Sequence, residues 1–227
     1  MKKSKIITAI TIAISCVSAQ AAEEARGFYV FGNIGTNFVT LDAVRNAGEK
    51  LQRDNPGMHL DTTQQKSGAM GEIGGGYRFN RYLALEASYA DLGTSVSTLW
   101  ANGGEGSSGR TEETAAWKAE RFSVLGTLPV TERFEIYGKL SLNNVHGDYT
   151  LATTVRNAAG HRFDTEAKMS ETELRGGLGL GAAFALNKHW VLRGEYEYIG
   201  KGSTESKDLK PEASAMMLVK AGVAYRF

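Results

Sequence analysis

Six charged residues of this 227-residue chain stand at positions whose strand parity turns them away from water: Glu86, Arg121, Lys139, Arg193, Glu195 and Lys220. Carboxylates and cations confined together can do one of two things, transfer protons to a substrate or neutralise one another. Proton-transfer or metal chemistry would need further partners. The histidines are His59, His146, His161 and His189. No two are spaced i, i+4, and none belongs to an H-E-x-x-H pattern. The glycine runs Gly74–Gly76 and Gly176-Gly177 lack phosphate-loop spacing and supply space instead. No catalytic, cofactor-binding or metal-ligating residue is therefore assigned. The six charges read as an interior polar network, because a buried charge left unpaired costs several kcal/mol.

The elements that would hold these charges are strands. Between Ile73 and Leu92 the sequence IGGGYRFNRYLALEASYADL alternates with period two on both sides of a turn at Asn80-Arg81, an antiparallel hairpin pattern. Ile73, Tyr77, Phe79, Leu83, Leu85 and Tyr89 make one face bulky and apolar. The other face is small, with glycines, Arg78 and Glu86. Bulk outside and small polar groups inside suit the wall of a narrow membrane barrel. Eight such segments are expected, near residues 27–38, 68–79, 82–93, 117–128, from 133, 172–186, 189–200 and 216–227. Phe31 and Leu125 are apolar exceptions on the small face. Short connections at Asn80-Arg81, Pro129–Glu132 and Asn187-Lys188 alternate with long ones near 39–66, 94–116, 147–171 and 201–215. The fold class is an all-β, eight-stranded antiparallel up-and-down transmembrane β-barrel. Pro56, Pro129 and Pro211 all fall in connections, where no ladder donor is lost.

Aromatics cluster at the short-turn rim. Phe28, Tyr77, Phe79, Phe134, Phe184, Trp190, Tyr225 and Phe227 form the expected interfacial girdle. The long connections differ in kind. The first leaves room for a short amphipathic helix within Thr40–Arg53. The second is glycine-rich at 103–109 and reads as a mobile loop. In the third, Tyr149–Arg156 and His161–Thr165 flank Asn157–Gly160 and suggest a hairpin continuing above the membrane.

The amino terminus reads as a secretory signal, residues 1–21. Lys2, Lys3 and Lys5 precede the apolar run Ile6–Ile14, and Ala19-Gln20-Ala21 fits a cleavage site between Ala21 and Ala22. Residues 22–227 form the barrel domain. The single cysteine, Cys16, lies within the signal; as a lipoprotein acylation site it would follow Ala13, where leucine is usual. Removing three lysines from 26 basic residues, against 25 acidic ones, leaves a net charge of −2. That offers no electrostatic basis for nucleic-acid binding. A mean hydropathy of −0.27 excludes nothing, since alternation hides a barrel's membrane surface.

The motifs GYRFNRYLALEASYADLG (76–93), LPVTERFEIYGKL (128–140), WVLRGEYEY (190–198) and GVAYRF (222–227) resemble the transmembrane domain of the outer membrane protein A family of small eight-stranded barrels. The resemblance implies integral residence in the outer membrane of a Gram-negative envelope, with the long loops outside the cell. It implies that Tyr225 and Phe227 form the assembly signal read by the outer-membrane insertion machinery. Glu86 and Arg193 match the family's interior ion-pair positions. Asn33 and Leu125 stand where the family carries lysines, which thins any gating network. With the chain ending at Phe227, the family's periplasmic peptidoglycan-binding domain is not expected.

Three function classes follow. The leading one is a rigid barrel displaying four loops for adhesion, host-factor binding or envelope integrity. Its expected partners are outer-membrane lipid and host or matrix ligands, with no cofactor and no enzymatic activity. A narrow gated pore is the alternative. A lipid-active enzyme comes third. Outer-membrane lipid-A deacylases carry a His-x-Ser pair on a strand, and here His146 is followed by Gly147-Asp148.

Overall fold

Period-two alternation is realised as a closed ring of strands. The computed structural model describes residues 26–39, 49–50, 52–53, 59–65, 67–104, 107–201 and 215–227. Its strands are β1 (Gly27–Val39), β2 (His59–Gln65), β3 (Ser67–Asn80), β4 (Leu83–Gly104), β5 (Ser107–Pro129), β6 (Phe134–Arg156), β7 (Arg162–Ala185), β8 (Trp190–Ile199) and β9 (Met216–Arg226). Every pairing is antiparallel, each strand bonds to its neighbour, and β1 closes the ring against β9. β2 and β3 both pair with β4, one above the other, and together make a single stave. The barrel thus has eight staves, and closure leaves no open edge in the lipid.

Three short turns are set by side-chain oxygens. Asn80 Oδ1 accepts the N–H groups of Tyr82 and Leu83 at 2.8 and 3.0 Å. Thr131 Oγ1 accepts those of Arg133 and Phe134. Asn187 Oδ1 accepts those of His189 and Trp190, both at 2.9 Å. Each side chain mimics a backbone turn two or three residues on, so the reversal is encoded locally.

The bulky face is outside. Ile34 is 75% exposed, and Ile73 and Leu180 are 70% exposed. The outward apolar positions run from Phe28 to Phe38 on β1 and from Leu174 to Phe184 on β7, matching the ~9–11 tilted residues needed to cross a bilayer. At the short-turn rim, ring centroids are 4.8 Å apart for Phe28–Tyr77, 5.0 Å for Tyr77–Phe79, 5.1 Å for Trp190–Tyr225 and 5.3 Å for Tyr225–Phe227.

The long connections depart from the sequence expectation. Residues 94–104 and 107–116, expected within a connection, are strand. β4 runs on to Gly104 and β5 begins at Ser107, paired almost throughout. A bulge between Asp91 and Gly93 conceals this in the sequence. Gly93 has φ +86°, and its N–H bonds Asp91 Oδ1 at 2.9 Å. The bulge shifts parity by one, so even positions face inward below it and Ser95 and Ser97 face inward above it. The third connection is the expected hairpin, with Arg156 paired to Arg162. In the first, Glu49, Lys50, Gln52 and Arg53 are helical. The other residues of Thr40–Arg53, the signal with Cys16, and Ala21 and Ala22 lie outside the described residues.

Candidate functional site

Eight charged side chains fill the middle of the lumen. Four are acids (Glu72, Glu86, Glu195, Glu197) and four are bases (Arg121, Lys139, Arg193, Lys220), and every side chain is at most 6% exposed. Arg193 Nη1 lies 2.7 Å from Glu86 Oε1, and its Nη2 lies 3.3 Å from Glu195 Oε2. Lys139 Nζ is 3.2 Å from both Glu86 and Glu195. Lys220 Nζ meets Glu195 at 2.7 Å, Glu197 at 2.9 Å and Glu72 at 3.0 Å. Arg121 donates to Glu72 at 2.8 Å, to Glu197, and through Nε to Asn143 Oδ1 at 2.8 Å. Each acid touches at least two bases and each base at least two acids.

Neutral groups complete the lattice. Tyr29 donates to Glu86 at 2.9 Å and Tyr137 to Glu195 at 3.1 Å. Asn33 and Ser88 donate to Glu72, and Ser141 to Glu197. The Arg193 guanidinium also lies over the rings of Phe31 and Tyr137, at 4.7 and 5.4 Å. Phe31, an apolar exception in the sequence, is thus a cation–π platform. Leu125, the other, packs with Tyr29, Ala84 and Val191 below the charges.

Strand sequence sets where these long side chains can go. β7 presents Gly177, Gly179 and Gly181 inward and leaves the volume to its neighbours. A Cβ on Gly181 would lie 2.3 Å from the Tyr137 ring, and one on Gly76 2.4 Å from the Tyr29 ring. These two glycines admit the tyrosines that bond the carboxylates.

The lattice is closed at both ends. Toward the long-loop end a second apolar layer crosses the lumen, including Leu92, Trp117, Tyr149, Ile199, Met216 and Leu218. Trp117 Nε1 donates to Tyr149 Oη at 3.3 Å. At the short-turn end, Glu135 holds Arg78 at 2.5 Å and Arg226 at 3.1 Å. Between that triad and Arg193 lies a cavity of about 30 Å³, room for one or two waters.

All six charges expected inside are in this one lattice. Glu72 and Glu197 were not singled out, although parity turns both inward. The signal lay in charge balance: the six comprise two acids and four bases. A dry lumen does not hold a surplus of two positive charges, so two more carboxylates were required. Arg175, also inward by parity, sits just above with Glu173 at 2.7 Å. Tyr225 and Phe227 lie at the short-turn rim on the outer face. Among the described residues no group of three or more potential ligands could hold a metal ion.

A polar-filled eight-stave barrel with an apolar outer wall has known relatives. The family model described as outer membrane protein beta-barrel domain matches residues 7–227. The chain belongs to this family. Outer membrane protein A of Yersinia pseudotuberculosis is 26% identical over all of the chain and 56% of its own length. The 31 kDa outer-membrane immunogenic protein of Brucella melitensis is 25% identical over 80% of the chain and 79% of its own length. The chain spans about half the length of the outer membrane protein A relatives it matches. Among solved structures, Pseudomonas aeruginosa OprG aligns with a TM-score of 0.45 and 15% identity, over 89% of this chain and 97% of that one. As a member of the outer-membrane β-barrel domain family, the protein is an integral outer-membrane protein embedded in lipid through the apolar wall described above.

Proposed function

We propose that the protein is a non-catalytic surface-display barrel whose projecting hairpins contact ligands outside the cell. The reading rests on one observation. The lumen is filled by paired charges and capped by an apolar layer, whereas β4 to β7 continue far beyond the lipid belt as paired sheet. On β7 the segment from Arg162 to Glu173 adds roughly 40 Å of strand above the last outward leucine, Leu174. A rigid wall, a solid plug and a raised sheet together favour presentation over passage. The long-loop end faces outward on this reading, and adhesion, host-factor binding and envelope integrity are the roles it serves.

The test is binding of cells carrying wild-type or trimmed protein to host cells and extracellular matrix. Removing residues 152–166 and closing the paired strands with Asn-Gly should preserve the barrel and its heat resistance on gels. Reduced binding by the trimmed protein supports display. Unchanged binding, together with a steady ion current through wild-type protein in planar bilayers, would favour the narrow pore instead.

A further inference from the structure

Three polar side chains at and above the apolar layer are buried without a partner. Ser95 and Ser97 are fully buried and Glu113 is 6% exposed, and none of Ser95 Oγ, Ser97 Oγ and Glu113 Oε2 makes a hydrogen bond. Buried polar atoms are paired in folded proteins with few exceptions, so three on one surface ask for an occupant. The surface is shared. Register sets Ser97 directly opposite Glu113, and Ser95 stands two residues away on β4, opposite Ala115. The parity shift at Gly93 turns both serines to the side that Glu113 faces. Among the described residues no charged side chain stands beside the carboxylate on that face. Its inward neighbours on β5 are Thr111 and Ala115, and Leu151 is opposite on β6. The Thr111 hydroxyl is engaged with that of Thr153 at 3.3 Å. Leu151 is 41% exposed, so the site opens to solvent on that side.

We propose that Ser95, Ser97 and Glu113 form a binding site for a primary alkylammonium group. An –NH3⁺ carries three donors and no acceptor, and the site offers three unpartnered oxygens. The charge matches as well. A carboxylate at Glu113 has no cation beside it, and a water or a neutral ligand would leave that charge uncompensated. Spacing argues against a metal ion. Ser95 and Ser97 are two residues apart on one strand face, about 6.7 Å. Hydrogen bonds of about 2.9 Å to one nitrogen reach across that distance once both hydroxyls lean inward, whereas metal–oxygen bonds of about 2.4 Å fall short. Leu99 and Ala115, both buried on the same face, flank the oxygens and suit the methylenes of the ligand. The site lies above the charged lattice, so a ligand reaches it without passing through the barrel.

The test is urea unfolding of the full chain in lipid vesicles with added n-butylammonium chloride. Tetramethylammonium chloride, of equal charge but without N–H donors, is the control. Three bonds from a charged donor correspond to a dissociation constant of about 10 mM or tighter. A ligand that binds only the folded chain stabilises it, so n-butylammonium at about 100 mM should raise the midpoint at pH 8. It should do so much less at pH 4, where the carboxyl is neutral. Glu113→Gln keeps the shape and removes the charge, and should weaken binding about tenfold or more. Ser97→Ala removes one acceptor and should weaken it by a smaller factor. No shift at 100 mM, an equal shift with tetramethylammonium, or a full shift in Glu113→Gln would each overturn the site. The measurement is independent of what the projecting hairpins bind on cells, so it can fail while the display reading stands, and the reverse.

Discussion

Arg193 and Glu86 meet across the full width of the lumen, Nη1 to Oε1 at 2.7 Å, from staves as far apart as the ring allows. Glu86 is on β4 and Arg193 on β8, so no ladder bond brings them together. Only the narrowness of an eight-stave barrel does. Glu86→Gln would leave Arg193 with Glu195 and two aromatic rings. Arg193→Gln would leave Glu86 with Lys139 and Tyr29. Each single change should cost about 3–5 kcal/mol, because it leaves the buried lattice one charge out of balance. The double variant should lose less than the sum by at least about 1 kcal/mol. Urea unfolding in lipid vesicles measures all three, and strict additivity would mean that the pair is not energetically coupled.

How much of this was readable depends on what each residue's signal travels through. Strand parity is local, so the ring of staves, the apolar wall and the inward turn of Arg121, Lys139 and Lys220 follow from the sequence directly. The pairing between them is not local: which carboxylate each cation reaches depends on barrel width and on glycines of the neighbouring strand. Glu72 and Glu197 could be found only by summing charge over the lumen. The extent of β4 and β5 was hidden for a different reason. The bulge at Gly93 reverses parity in mid-strand, and Gly104 and Gly109 read as loop glycines while occupying paired positions.

Gly181 should tolerate no side chain while Tyr137 is present. A Cβ there would come within 2.3–2.6 Å of the tyrosine ring. Gly181→Ala should therefore destabilise by about 1–3 kcal/mol through overpacking. Adding Tyr137→Ala should cancel the clash, so that Gly181→Ala costs little in that background. An equal cost in both backgrounds would place the effect in the backbone rather than in the ring contact.

Glu113 faces inward above the lipid belt, with Oε2 buried and unpartnered. Burial pushes its carboxyl above the usual carboxylate range. An acid whose folded-state affinity for the proton is raised binds more protons folded than unfolded. Stability is therefore lost as pH rises through the ordinary glutamate range and past the folded value. Glu113→Gln should match wild type near pH 4 and exceed it at pH 8. Unfolding midpoints at the two pH values check this, and a stabilisation that is the same at both would point to a cause other than ionisation.

Phe227 should matter more for delivery than for strength. It is 75% exposed on the lipid side and touches the girdle through Tyr225, with ring centroids 5.3 Å apart. Its backbone N–H bonds Phe28 O at 3.2 Å, so it closes the last rung between β9 and β1 without filling any interior space. An aromatic at the interface that leaves the lattice untouched contributes little to the folded barrel. The same exposed ring beside Tyr225 is available for recognition before the barrel closes. Deleting Phe227 should therefore reduce the amount inserted in cells several-fold, while the purified chain refolds in detergent with nearly unchanged yield. Heat-modifiable mobility on gels reads both quantities from the same variant. Equal losses in cells and in detergent would show that the residue acts through packing at the girdle and not as an assembly signal.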